Sequence, residues 1–230
     1  MIITAIHSRN IGSTHTISTM LLDEIKRIEP ATEVHQFDVA SFPSCVGCFS
    51  CFASGEQSCP HYEKVNPIVS AIENANVVIL DSPTYCMGIT GAMKSFLDHM
   101  GYRWFAHRPH PSMASKIGVA ISTTGSMGAG SVTKALKKHF FGWSAAKYYR
   151  LSFSVMGTGW DEIKEKKKEK ITRAVKTTAR KIVKKAGKAK RSLYLRFILN
   201  VMKSVHKKND WFPLDKAWWQ EHGWIKSESQ

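Results

Sequence analysis

The sequence has no long hydrophobic run. Its longest late apolar stretch, Leu193–Met202, is interrupted by Arg196 and falls short of the roughly 20 residues that a membrane-crossing helix needs. Met1–Ile6 is apolar, but no basic segment comes before it and no small-residue cleavage site follows. A buried first strand is therefore expected, not a secretory leader. Neither a Walker-type phosphate loop nor a Gly-x-Gly-x-x-Gly fingerprint occurs, which weighs against triphosphate hydrolysis and a dinucleotide-binding first turn. Acidic residues are scarce in one region: Asp161–Lys208 holds 18 Lys/Arg against four acids. The whole chain carries +15, so the remainder is nearly neutral and the basic charge belongs to the C-terminal part. That part has few aromatics among its lysines and no base-reading or stacking motif, so nucleic acid is not an expected partner.

What is present is a globular composition, 43% hydrophobic and 22% charged over 230 residues, enough for one well-buried domain with a remainder. Residues 1–188 are expected to form that domain. Residues 189–230 are expected to be a helical, aromatic extension packed on it or on a partner subunit. Strands are expected at Ile2–Ile6, Glu33–Phe37, Val77–Leu80, Lys116–Ser122 and Lys147–Val155. Val77-Val78-Ile79-Leu80 is continuously apolar, as a central parallel strand buried on both faces requires. Helical periodicity fills the gaps at Thr14–Ile28, Lys64–Ala75, Gly91–Met100 and Met127–Phe141. A basic helix over Asp161–Lys185 closes the domain, with Asp161 and Glu162 at its positive end. Alternating strands and helices give an α/β, doubly wound, five-stranded parallel sheet. The pattern alone does not choose between the two common strand orders.

Three loops follow strands one, three and four. Ser8-Arg9-Asn10-Ile11-Gly12-Ser13-Thr14 is rich in hydroxyls, carries one Arg and runs into a helix. Unpaired helix N–H groups and the helix dipole there favour an anion, although Ser/Thr before a helix also serves as a plain cap. The second loop is Asp81-Ser82-Pro83-Thr84-Tyr85-Cys86-Met87-Gly88-Ile89-Thr90-Gly91, and its Pro and Gly alone say only that the chain turns. The third, Ser122-Thr123-Thr124-Gly125-Ser126-Met127-Gly128, lets backbone approach a flat ligand.

Ser82-Pro83-Thr84-Tyr85, then Gly88, then a helix reading Met93-Lys94-Ser95-Phe96-Leu97-Asp98 resembles the flavin-ring loop of flavodoxin-like NAD(P)H-dependent FMN reductases. The resemblance extends along the chain. It takes in Cys45-x2-Cys48-x2-Cys51, Cys59-Pro60-His61, and the tail Asp215-Lys216-Ala217-Trp218-Trp219 with Gly223-Trp224. It implies a flavodoxin-like fold that binds FMN and uses NAD(P)H as co-substrate. Ser8, Arg9, Gly12, Ser13 and Thr14 would meet the phosphate. Pro83, Thr84, Tyr85, Cys86, Met87 and Gly88 would lie along the ring, with Thr123, Thr124, Gly125 and Ser126 on its other side. It also implies a homodimer, and a small-molecule acceptor (quinone, free flavin or nitro compound) or a redox protein. His7 stands where the family has a small residue and no Pro follows Ser8, so the phosphate geometry is expected to differ in detail. No catalytic side chain is assigned, because the chemistry resides in the cofactor.

Four of the five cysteines, Cys45, Cys48, Cys51 and Cys59, fall in one short segment. Such spacing in a reducing, cytoplasmic setting points to metal or redox chemistry. It resembles iron–sulfur flavoproteins, whose cysteines hold a [4Fe-4S] cluster. Cluster-free members of the wider family carry a similar run as a substrate-covering loop, and both readings stand. Structural zinc, which favours two separated pairs, fits less well. The lysines of Lys164–Lys190 read as a solvated face. The amphipathic stretch after them reads as packing on the domain or a second subunit in preference to a membrane surface.

Overall fold

The computed structural model describes residues 1–157, 159–208 and 211–226. Five strands form one all-parallel sheet: β1 (Ile2–His7), β2 (Glu33–Asp38), β3 (Val77–Asp81), β4 (Ile117–Thr124) and β5 (Lys147–Ser154), in the order β2-β1-β3-β4-β5. This is the flavodoxin-like order. β3 lies in the middle and is buried along its whole length, as its unbroken apolar sequence requires.

Eight helices accompany the sheet among the described residues: α1 (Gly12–Ile28), α2 (Ser50–Ala53), α3 (Tyr62–Asn74), α4 (Gly91–His99), α5 (Ala129–Gly142), α6 (Glu165–Lys185), α7 (Leu193–Lys208) and α8 (Pro213–Glu221). On one face α1 and α6 bury Ile17, Leu21, Ile25, Ile171, Val175, Ala179 and Ile182 against Ile3, Ile79 and Val119. On the other, α3, α4 and α5 bury Ile68, Ile72, Phe96, Leu97, Leu136 and Phe140 against Ile6, Leu80 and Ala120. The buried residues of α6 recur at 171, 175, 179 and 182, one helical stripe, so its lysines occupy the remaining, solvated side.

Element boundaries shift by a few residues from those expected. The largest shift is in α6, which starts at Glu165, four residues after Asp161, with Glu165 the acid in its first turn. The apolar stretch Leu193–Met202 is part of a longer helix ending at Lys208. None of the described helices is long and apolar enough to cross a membrane.

Candidate functional site

Parallel strands aligned in one direction bring their carboxyl ends, and the loops that follow, to one edge of the sheet. There the three loops line a cleft of about 380 Å³, formed by Arg9, Ile11, Gly12, Ser13 and Thr14 from the first, Pro83, Thr84 and Tyr85 from the second, and Thr123, Thr124 and Gly125 from the third. Val155 and Gly157, just past β5, complete it. That volume lies in the range of small-molecule sites.

The loops are fastened to one another. Ser8 turns inward: its N–H and Oγ both donate to the Asp81 carbonyl, at 3.1 and 2.8 Å, and it accepts from Thr90 Oγ1 at 3.1 Å. It braces the first loop on the second and does not line the cleft. Arg9 Nη1 donates to the Tyr85 hydroxyl at 2.9 Å. Thr14 and Thr123 hydroxyls meet at 2.6 Å, and Thr84 N–H donates to the Thr123 carbonyl at 2.9 Å.

α1 starts without a side-chain cap, because the residue before it is Ile11. Its first-turn N–H groups therefore lack partners within the helix. Gly12 has φ +85 with nothing near a would-be Cβ, so backbone conformation, not crowding, calls for glycine. Ser13 Oγ is buried, borders the cleft and has no hydrogen-bond partner. Uncapped N–H groups, an unsatisfied hydroxyl and a nearby guanidinium form a donor set suited to a phosphate.

In the second loop Tyr85 and Gly88 pair as a miniature hairpin, with N–H···O bonds of 3.2 and 2.9 Å. Cys86 (φ +48) and Met87 (φ +62) form its tip, both left-handed, as a type I′ turn demands. For non-glycine residues that stores on the order of 1–3 kcal/mol each. Cys86, Met87 and Gly88 are not among the residues lining the cleft. Ser126 also lies outside the lining. Gly128 (φ +104) lets the third loop approach the second: a Cβ there would meet Thr84 Cγ2 at 2.8 Å and Met87 Sδ at 2.9 Å.

Beneath the first loop, buried His7 bonds through Nδ1 to Asp81 and through Nε2 to Gln36 at 3.1 Å. Burial pulls the His7 pKa down, but the bond to Asp81 and its charge outweigh this and leave it raised. His15, 4.7 Å from the His7 ring, is lowered by burial and by His7.

The cysteine segment is a separate place. Cys45 and Cys48 are exposed, Cys51 and Cys59 half-buried, and all are free thiols. Burial raises Cys51 to about 11. The neighbouring Cys59 charge adds to this, Arg108 opposes it, and Cys45 adds a smaller increase. Ser50 donates to Cys48 Sγ at 3.3 Å and holds its pKa down. Four free thiols on one short segment form a donor set whose chemistry fits an iron–sulfur cluster. Cys59 also neighbours His61 and His99, whose rings meet at 3.0 Å.

The tail anchors this segment. Asp215, fully buried at the start of α8, accepts from Arg108 Nη1 at 2.8 Å and lies 2.7 Å from His107 Nδ1. Arg108 Nη2 donates to the Cys51 carbonyl. Arg103 pairs with Glu73 at 2.7 Å and Glu56 at 3.3 Å. Trp218 and Trp219 donate to the carbonyls of Pro109 (3.1 Å) and His107 (2.5 Å), and Phe52 sits edge-on to His107 at 4.7 Å. The links made by Asp215, Trp218 and Trp219 join residues more than a hundred positions apart.

The sequence profile of NADPH-dependent FMN reductases matches residues 1–161. The chain belongs to the NADPH-dependent FMN reductase family. Among curated proteins, this family member is 36% identical over 102 residues to an iron–sulfur flavoprotein of Clostridioides difficile, covering 43% of this chain and 45% of that protein. It is 31% identical over 128 residues to an iron–sulfur flavoprotein of Archaeoglobus fulgidus, covering 52% and 56%. The chain therefore spans about half the length of these relatives. Solved structures sharing the fold include an azoreductase from Bacillus anthracis (TM-score 0.60, 13% identity, 79% of this chain and 98% of that one) and an NADH:FMN oxidoreductase (TM-score 0.52, 17% identity, 78% and 89%).

Sequence reasoning missed Ile11, Val155 and Gly157 in the cleft. The signal for the last two was available, since the carboxyl end of every strand reaches that edge of the sheet. Arg108 carried no local signal, and Asp215, although part of the tail motif, carried none for its partner.

Proposed function

We propose that this FMN reductase family member is a flavin-dependent oxidoreductase taking reducing equivalents from NAD(P)H and passing them to a quinone, a flavin, a nitro compound or a redox protein. The observation that carries this reading is the cleft, with an uncapped helix terminus and the unsatisfied Ser13 hydroxyl at one end and two backbone-rich loops beyond. Bound FMN supplies the acceptance and release of electrons. The chain orients it. The α1 N–H groups, Ser13, Thr14 and Arg9 would hold the phosphate, and Gly12 supplies the turn. Pro83, Thr84 and Tyr85 would lie along the ring, with Thr123, Thr124 and Gly125 on its far side, while Cys86, Met87, Gly88 and Ser126 would support these loops from outside the lining. Ser8 acts indirectly, by fixing the first loop.

Ile11, Tyr85, Met87, Met127 and Met156 are exposed on the loops around the cleft. Such an apolar rim suits a second subunit or an apolar acceptor, so a homodimer belongs to this reading. Residues 1–188 then form the flavin domain and 189–230 an extension supporting the cysteine loop, in a reducing cytoplasmic setting. The test is anaerobic purification with flavin analysis, followed by stopped-flow mixing with NADH and with NADPH. A chain that retains no flavin, or whose flavin bleaches with neither nucleotide, refutes the proposal.

A second reading adds a [4Fe-4S] cluster on Cys45, Cys48, Cys51 and Cys59, making the chain an electron carrier that accepts electrons from ferredoxin. It is favoured by four free thiols on one short segment and by the naming of the relatives as iron–sulfur flavoproteins. Iron and acid-labile sulfide of roughly four each per chain support it. Their absence from anaerobic protein leaves the cluster-free oxidoreductase.

A further inference from the structure

α7 has two faces. Leu195 and His206 are buried, with Ile198, Leu199 and Met202 partly so, against the rest of the chain. On the opposite side Leu193 (80% exposed), Phe197 (62%), Val201 (39%) and Val205 (45%) stand clear. They are four residues apart, so they form one ladder along the helix, about 18 Å long at 1.5 Å per residue. Tyr194, beside them, is also exposed, although its ring stacks on Phe141 at 6.0 Å.

The charge on α7 itself has one sign. α7 contains no Asp or Glu, and Arg196, Lys207 and Lys208 are exposed on it. Lys188, Lys190 and Arg191 precede it, within a segment whose surplus of positive charge accounts for nearly all of the chain's +15. A second copy of the chain is a poor match, because joining two such faces brings two cationic rims together. The complementary partner combines apolar depth with negative charge along a line parallel to the helix axis. The surface of an anionic bilayer offers both, and a helix of this kind lies in its headgroup plane.

We propose that α7 is a peripheral membrane-binding helix, with Leu193, Phe197, Val201 and Val205 inserted among lipid chains and its basic residues at anionic headgroups. The flavin cleft plays no part in this assignment, so it stands or falls independently of the oxidoreductase reading.

The test is vesicle flotation of the full chain. The vesicles are phosphatidylcholine with about a third phosphatidylglycerol, or phosphatidylcholine alone. Wild type is expected to float with the anionic vesicles, to float poorly with the neutral ones, and to be released by about 0.5 M salt. The double variant F197E/V201E is expected to bind at least ~10-fold more weakly, since it removes the inserted side chains and adds negative charge. K207E/K208E is expected to bind several-fold more weakly. All the substituted residues are exposed, and unchanged circular dichroism melting shows that the variants fold.

Three results overturn the proposal. The first is wild type that floats with neither vesicle. The second is F197E/V201E floating as well as wild type, which reduces the binding to adsorption of the basic surface. The third is a wild-type dimer in sedimentation equilibrium that F197E/V201E converts to monomer, which assigns the ladder to a second copy.

Discussion

The cleft and the cysteine-loop anchor are built by different physics. At the cleft, topology alone delivers the parts: parallel strands end together, and short hydroxyl and backbone bonds tie the loops. Among the described residues its one buried ionic pair is His7 with Asp81, beneath the first loop. The cysteine segment has no strand to organise it. It is held from the side by buried ions, Asp215 with Arg108 and Arg103 with Glu73 and Glu56, together with two indole N–H bonds. The first construction tolerates loss of single bonds. The second rests on charges that are safe only in pairs.

The sharpest break in this comparison is D215A. It leaves the Arg108 guanidinium, 3% exposed, with only the longer ionic contact to Glu56 at 3.6 Å, and a loss of about 3 kcal/mol is expected in urea denaturation. Early proteolysis of the tail should accompany it. A wild-type midpoint for D215A would show that the anchor is not ionic. Next comes S13A, which removes a donor to a charged phosphate. Flavin should bind some 10- to 100-fold more weakly, from about 1.5–3 kcal/mol, while the urea midpoint stays put. A fall in stability with unchanged flavin affinity would make Ser13 a structural residue only. G128A should cost on the order of 1–2 kcal/mol, from its positive φ and the contacts with Thr84 and Met87. It should touch both flavin binding and stability.

The smallest effects are in pH dependence, and they differ in sign between the regions. Burial, with Arg103 and Lys116 nearby, holds His110 at about 4. Below pH 6.5 the unfolded chain gains a proton there that the folded one refuses, so stability falls as pH drops from 6.5 towards 4. His7 is raised. Its contribution is complete below pH 6.5 and is lost as pH rises through the folded value. H110N should flatten the acid side of a stability–pH curve and H7N the neutral side. Equal slopes in both variants would remove the distinction.

Much of the fold was legible because it obeys short-range rules. Val77–Leu80 read as a central strand, and the lysines of Lys164–Lys190 already read as a solvated face of the helix, as the buried stripe of α6 bears out. The loops were found by their place after strands, although composition could not tell that Ser8 faces inward while Ser13 faces the cleft; that depends on which hydroxyl reaches the Asp81 carbonyl. The Arg108–Asp215 pair was invisible because its members are brought together only by the folded tail. The ladder on α7 could be read as amphipathic, but which of its sides meets the chain depends on where α8 packs.

One consequence follows from the Thr14–Thr123 bond and the Thr84–Thr123 bond beside it. They fasten the three loops together during folding, so a ligand arriving later has little chain left to immobilise. Its arrival should be fast, with affinity differences among variants appearing as residence time. The cleft behaves as a finished socket and not as a closing hand.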